Sequence, residues 1–201
     1  MANDHYYTKE PQSAHHEAYV EMNYRGHALR FETDSGVFSK TELDRGTQIL
    51  LDALPEAMSG DVLDMGCGWG AIGISLAIAF SDVRVCMTDI NERACLLSRK
   101  NAERARVQAE VLQSDGWEML SERLFDHIVQ NPPIRAGKAV IYAMFSEAAK
   151  HLKPGGILWL VIRKQQGAPS AKTYLETLFH SVEVPEKEAG YWIFRCTEPI
   201  G

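Results

Sequence analysis

From Asp61 onward, short apolar runs alternate with longer stretches in which apolar residues recur every three or four positions. The first kind reads as buried strand and the second as amphipathic helix. Strands are predicted at Val62-Leu63-Asp64 and over 83–89, 109–112, 125–130 and 157–162, and helices over 70–80, 92–105, 138–152 and 169–179. Lys153-Pro154-Gly155-Gly156 reads as a turn before the fifth strand. Two further strands, over 181–184 and 191–196, are separated by a connection too short for a parallel crossover, so they predict an antiparallel hairpin. The pattern predicts an α/β fold: a doubly wound, mostly parallel, seven-stranded sheet closed by a C-terminal antiparallel hairpin.

Upstream the pattern is weaker. Residues 1–20 are polar and mixed, with His5, His15 and His16 in no metal-ligand spacing, and read as a partly ordered lead-in. Residues 24–40 carry two turn signals, Arg25-Gly26 and Asp34-Ser35-Gly36, which predict short strands or a hairpin packed on the main domain. A helix is expected over 41–54, with Thr41 as its N-cap and Leu43, Ile49, Leu50 and Leu54 as its apolar stripe. The chain is thus expected to divide into an N-terminal extension, residues 1–40, and a main domain, residues 41–201.

Composition narrows the picture a little. With 201 residues, 45% hydrophobic and 24% charged, the chain suits one soluble domain with a sizeable core. No apolar run approaches the roughly 20 residues of a membrane span. The segment 1–7 has neither a basic nor an apolar signal region, so cytoplasmic residence is expected. Cys67, Cys86, Cys95 and Cys196 form no CxxC pair and read as reduced core thiols rather than metal ligands. A net charge of −6 argues against nonspecific binding to nucleic acid, although a local basic patch is compatible with it.

Two segments carry chemistry. In Asp64-Met65-Gly66-Cys67-Gly68-Trp69-Gly70, glycines Gly66, Gly68 and Gly70 leave the backbone bare between a strand and a helix, where a ligand can approach closely. Gly68, Gly70 and Gly73 also fit the dinucleotide fingerprint G-x-G-x-x-G. Asp64, two residues before the first glycine, suits the methionine ammonium of S-adenosyl-L-methionine better than a pyrophosphate. Asp89 ends the second strand, where a carboxylate accepts from ribose hydroxyls. Asp115, before Gly116 and Trp117, reads either as the adenine-amine acceptor or as a turn residue, and Ile90 and Trp117 are expected to cover the ring faces.

The second segment is Asn131-Pro132-Pro133-Ile134, at the end of the fourth predicted strand. The lone pair of a planar exocyclic nitrogen is delocalised into its ring. The Asn131 side-chain oxygen and the Pro132 carbonyl can hold both N–H protons, favour pyramidal geometry and aim that lone pair at a sulfonium methyl. The double proline stiffens the turn. A rigid turn capped by Asn131 is the alternative.

The chain resembles the class I S-adenosylmethionine-dependent methyltransferases, and within them the small-domain group related to the ribosomal RNA guanine-N2 methyltransferases of the small subunit. The resemblance covers roughly residues 30–200 and rests on Gly36-Val37-Phe38-Ser39, Leu43-Asp44-Arg45-Gly46-Thr47, Asp64 to Gly70, Asp89, Asn131 to Pro133 and Leu152-Lys153-Pro154-Gly155-Gly156. It implies a Rossmann-like methyltransferase fold, a cofactor site that includes Cys67, Asn131 and Thr47, and a substrate site that includes Phe38, Pro133 and Ile134. Many such enzymes have an aromatic residue after Asn-Pro-Pro; here it is Ile134, and stacking on a base then falls to Phe38 or another aromatic. The larger relatives carry a further N-terminal domain.

The expected reaction is methyl transfer to an exocyclic amino group, guanine N2 of ribosomal RNA first, with RNA as partner and no metal. Arg135, Lys138, Arg163 and Lys164 lie where substrates reach such a sheet and are the expected RNA contacts. Adenine N6 or a protein glutamine presents the same planar amino group. A cofactor-binding module without turnover, or an NAD-dependent enzyme, is the alternative from a different class.

Overall fold

The computed structural model describes residues 16–37, 39 and 41–201. Most of the polar lead-in, with His5 and His15, and also Phe38 fall outside the described residues.

The first elements among the described residues are β1 (Ala18–Tyr24) and β2 (His27–Thr33), an antiparallel pair that begins inside the stretch expected to be a lead-in. Arg25 and Gly26 both have positive φ, 49° and 84°, as a two-residue hairpin turn requires. The Arg25 guanidinium donates to the carbonyls of Leu54 (2.9 Å) and Pro55 (2.7 Å), tying this turn to the end of α1 (Arg45–Ala53). That helix starts later than the apolar stripe suggested. Its N-cap is Asp44, whose side chain accepts from the Thr47 N–H, and not Thr41.

The main sheet follows: β3 (Gly60–Met65), α2 (Ala71–Ala79), β4 (Val83–Asp89), α3 (Glu92–Ala105), β5 (Ala109–Gln113), β6 (Phe125–Gln130), α4 (Lys138–Lys150), β7 (Leu152–Arg163), α5 (Ala168–Leu175), β8 (Phe179–Glu188) and β9 (Tyr191–Pro199). Its strand order is β5-β4-β3-β6-β7-β9-β8. Strands β3 to β7 run parallel, and β9 is antiparallel to both β7 and β8. This is the doubly wound seven-stranded sheet with the hairpin closure that the pattern predicts. The strand order turns back between β3 and β6, the switch point at which such sheets bind ligands.

Burial explains the elements. Strands β3 and β4 are covered on both faces and carry near-continuous apolar runs, Val62-Leu63 and Val85-Cys86-Met87. Helix α2 is apolar on all sides because it too is buried. Gly73 lets it press against β4, since a Cβ there would lie 2.6 Å from the Met87 sulfur. The Lys153–Gly156 segment is a bulge inside β7 and not a turn before it: Phe125 pairs with Leu152 but His127 pairs with Ile157. Lys153 bonds Asp61 (2.6 Å) and Asp126 (2.8 Å), and Arg84 with Lys153 holds the Asp61 carboxyl down to about 2. Helix α5 stops at Leu175, so Phe179 joins β8 and the core instead of the helix expected over 169–179.

The N-terminal hairpin buttresses one corner of the fold. Phe31 packs on Trp69, with ring centroids 4.9 Å apart. Buried Asn101 on α3 accepts from the Glu32 N–H (2.8 Å) and donates to the carbonyls of Glu32 and Trp69, each at 2.9 Å. Burial pushes the Glu32 carboxyl up, but hydrogen bonds from Lys100 and Arg104 outweigh it and leave the pKa below its usual value. The hairpin therefore braces the loop that contains Trp69.

Candidate active site

A cavity of about 420 Å³ opens at the carboxyl ends of β3 to β6. One wall is backbone. After β3 the chain is pinned to β4 by Gly66 N–H and Cys67 N–H, which both donate to the Thr88 carbonyl (2.8 and 2.9 Å). Gly66 and Gly68 have φ of +76° and +56°, and a Cβ on either would meet no atom within 4 Å. Both face open cavity, so the bare backbone is available to a ligand. Gly70 differs. It caps α2 with φ +91°, a Cβ there would strike Ile74 Cδ1 at 2.7 Å, and it does not line the cavity.

Asp89 links this wall to β4. Its Oδ2 accepts from Gly68 N–H (2.8 Å) and its Oδ1 from Asn91 N–H (2.9 Å). Burial nonetheless pushes its pKa up, against those donors. Ile90, Asp115 and Gly116 continue the wall. Trp117 does not: its ring stacks on His151, centroids 4.3 Å apart, away from the cavity lining. Cys67 lines the cavity with its thiol 3.4 Å from Ser98 Oγ, and burial pushes that thiol well above its ordinary pKa.

Asp64, expected to meet a cationic amino group, is absent from the cavity lining. It is fully buried beneath the loop, and its Oδ2 accepts from Gly73 N–H at 2.8 Å. Its Oδ1 has no partner among the described residues. Burial pushes this carboxyl up to about 7, the Gly73 N–H opposes the rise, and the Asp89 charge adds to it. The reason is geometric: Asp64 lies within β3, one residue before its end, and points under α2 rather than out of the sheet edge.

The opposite wall is built from side chains. Asn131, Pro132 and Pro133 line it, with Leu43, Asp44 and Thr47 from the start of α1. Asn131 Nδ2 donates to Asp44 Oδ2 and to Thr47 Oγ1, both at 2.9 Å. The amide oxygen is therefore the end turned away from this pair. Ile134 does not line the cavity; its half-buried side chain packs against the core cluster beside α4, and Ala136, Val140 and Met144 form the wall at that place. Arg135, Lys138, Arg163 and Lys164 are exposed and also lie outside the cavity lining. Phe38 lies outside the described residues.

Sequence reading missed Asp44, Val140 and Met144. Asp44 had a signal, an acidic residue three before Thr47 at a helix start, which the choice of Thr41 as cap hid. Val140 and Met144 sit one turn apart on α4 and look like any apolar stripe. All four cysteines are free and buried, as their spacing suggested. Among the described residues no group of three or more His, Cys, Asp or Glu stands where it could hold a metal, and no helix is long and apolar enough to cross a membrane.

The profile of the methyltransferase small domain matches residues 28–195. The chain belongs to the methyltransferase small-domain family. An uncharacterised Bacillus subtilis protein, YbxB, is 44% identical over 197 residues, 96% of this chain and 98% of its own length. The ribosomal RNA small subunit methyltransferase C of Pasteurella multocida is 39% identical over 137 residues, 66% of this chain but 42% of that protein. Among solved structures, T. thermophilus RsmC, a 16S rRNA N2 methyltransferase in complex with AdoMet and guanosine, superposes with a TM-score of 0.81 at 29% identity. That match covers 94% of this chain and 52% of the other. The chain thus spans about half the length of the RNA-modifying small-domain proteins it matches.

Proposed function

We propose that this small-domain protein methylates the exocyclic N2 of a guanine in ribosomal RNA. The chain is an S-adenosylmethionine-dependent methyltransferase by family, and the finer reading concerns its acceptor. The observation that carries it is the Asn131 amide, held by its nitrogen so that its oxygen is left to accept, in the same cavity as a bare glycine backbone and Asp89.

The residues present suit the cofactor. Gly66 and Gly68 give open backbone, the Asp89 carboxylate keeps acceptor capacity beside its backbone donors, and Asp115 adds a second carboxylate on this side of the cavity lining. When bound, the cofactor supplies an electrophilic methyl on a sulfonium. The protein then has to bind, orient and exclude water. Asn131 Oδ1 and the Pro132 carbonyl accept the two N–H protons of the acceptor amine, so its lone pair turns out of the ring plane. Pro132 and Pro133 hold that turn rigid. Val140, Met144 and Ala136 give the base an aliphatic surface in place of an aromatic after Asn-Pro-Pro.

Four exposed cations follow the carboxyl ends of β6 and β7 in the chain. Arg135, Lys138, Arg163 and Lys164 are exposed, and none forms an ion pair with a described residue. Lys138 lies over the Tyr142 ring (5.0 Å) and Arg163 over Tyr191 (5.5 Å). Cations without carboxylate partners suit phosphate, and this local patch lets a chain of net charge −6 meet RNA. Purified protein incubated with tritiated S-adenosylmethionine and either ribosomal RNA or ribosomal protein tests the reading. Label retained on RNA supports it. Label on protein glutamine, on adenine or on neither overturns it.

A further inference from the structure

We infer that Asp44 is the positioning residue that fixes which end of the Asn131 amide faces the acceptor, an inference that rests on the reaction proposed above. A primary amide has two ends of nearly equal size, and only its oxygen can accept a proton from an incoming amine. Something must therefore hold the amide the right way round. Thr47 Oγ1, 2.9 Å from Asn131 Nδ2, cannot do this alone, because a hydroxyl both donates and accepts. The Asp44 oxygen can. Its Oδ2 accepts from Thr47 N–H at 3.0 Å and from Asn131 Nδ2 at 2.9 Å, and a carboxylate oxygen in that position has nothing to donate. Turning the amide over would set its oxygen against that carboxylate and leave Asp44 Oδ2 with the Thr47 N–H as its one donor, since the Thr47 hydroxyl could serve the flipped oxygen but not relieve that contact.

The surroundings keep the carboxylate in place. Asp44 is fixed by its role as N-cap of α1, so it cannot swing away without uncapping the helix. Gly46 leaves room for it. A Cβ at Gly46 would lie 2.9 Å from Asp44 Oδ2 and 2.9 Å from the Tyr191 ring, which would push the carboxylate off its bond to Asn131. One oxygen thus couples the start of α1, seated over β7 and β9, to the end of β6, and helix capping and amide orientation are a single arrangement.

Two substitutions separate the orienting role from the capping role. Asp44→Ser keeps an N-cap oxygen for Thr47 N–H, but its side chain is one atom shorter and does not reach Asn131. Asp44→Asn keeps a carbonyl oxygen at the shared position. The expected result is that Asp44→Ser melts within a few degrees of the native protein and binds S-adenosylmethionine as tightly, yet loses about tenfold or more in single-turnover methyl transfer. Asp44→Asn is expected to recover most of that rate. A readout independent of turnover is the Asn131 side-chain amide in ¹H–¹⁵N spectra, assigned by its absence in Asn131→Ala. It should be protected from exchange in the native protein and in Asp44→Asn, and unprotected in Asp44→Ser. An unprotected amide in the native protein, or an Asp44→Ser protein with full rate, overturns the inference. So does an Asp44→Ser protein that loses cofactor affinity, because Asp44 would then hold the cofactor instead. If the native protein methylates no RNA at all, the reaction reading fails, and the amide spectra still decide whether Asp44 orients Asn131.

Discussion

The two walls of the cavity are made of different material. On the glycine-loop side the backbone presents itself. Gly66 and Gly68 face open space, and Asp89, the principal side chain there, is held by the backbone N–H groups of Gly68 and Asn91. On the Asn131 side the contacts are made by side chains that hold each other: Asn131 by Asp44 and Thr47, and Asp44 by the start of a helix. Backbone geometry tolerates substitution of its neighbours, because the hydrogen bonds that set it come from the main chain. A side-chain network fails when one member is removed, since its partners are left unpaired. The glycine wall should therefore tune affinity, and the asparagine wall should set rate.

The largest expected effect is on the asparagine wall. Asn131→Ala should lower single-turnover methyl transfer by roughly a hundredfold or more, the usual cost of one preorganised polar contact. Its melting temperature and cofactor affinity should change little. A mutant that melts early with its chemistry intact would make Asn131 a turn residue and erase the contrast between the walls. On the opposite wall, Asp89→Ala should weaken S-adenosylmethionine binding by about tenfold to a hundredfold, the range for hydrogen bonds to a charged group, with a smaller effect on rate at saturating cofactor. Calorimetry measures the first and quenched-flow kinetics the second. A loss confined to rate would contradict the division of labour.

How much of this was legible in the sequence follows the same divide. The glycine loop, Asp89 and the parallel strands are local patterns, and local patterns survive without coordinates. Helix 92–105 and strand 83–89 have the bounds their periodicity suggests. Asp64 shows the limit. Its place before the glycines is visible, but the burial that lifts its carboxyl to about 7 depends on α2 closing over it. Asp44 and Asn131 stand far apart in the chain, and only the seating of α1 over β7 and β9, beside β6, brings them to 2.9 Å. The same holds for Ile134, which rests half-buried against the core cluster and leaves the wall to Val140 and Met144 from the next helix. The Lys153–Gly156 segment has turn composition in either setting, and the pairing of Phe125 with Leu152 is what draws it into a strand.

Two smaller effects sharpen the comparison. Reversing charge beyond the ends of β6 and β7, Arg135→Glu with Lys164→Glu, should weaken RNA binding and flatten the salt dependence by about 0.7 of a logarithmic unit of slope per lost phosphate contact on single-stranded RNA. Cofactor affinity should stay constant, because neither side chain lines the cavity. An unchanged salt slope would place the RNA elsewhere on the surface. Asp64→Asn is expected to act on stability alone. The folded protein holds the Asp64 proton up to about pH 7, whereas the unfolded chain releases it near 3.8, so the free-energy contribution of this group declines as pH rises through that window. The isosteric amide does not titrate. The variant should therefore gain melting temperature relative to the native protein as pH goes from 4 to 8, and a constant difference would mean that Asp64 is ionised throughout.

Nucleoside mass spectrometry of ribosomal RNA incubated with the protein and S-adenosylmethionine tests the central claim most directly. Native protein should generate N2-methylguanosine and no N6-methyladenosine, and Asn131→Ala should generate neither. N2-methylguanosine formed equally well by Asn131→Ala, or a methylated base other than guanine, would contradict the account.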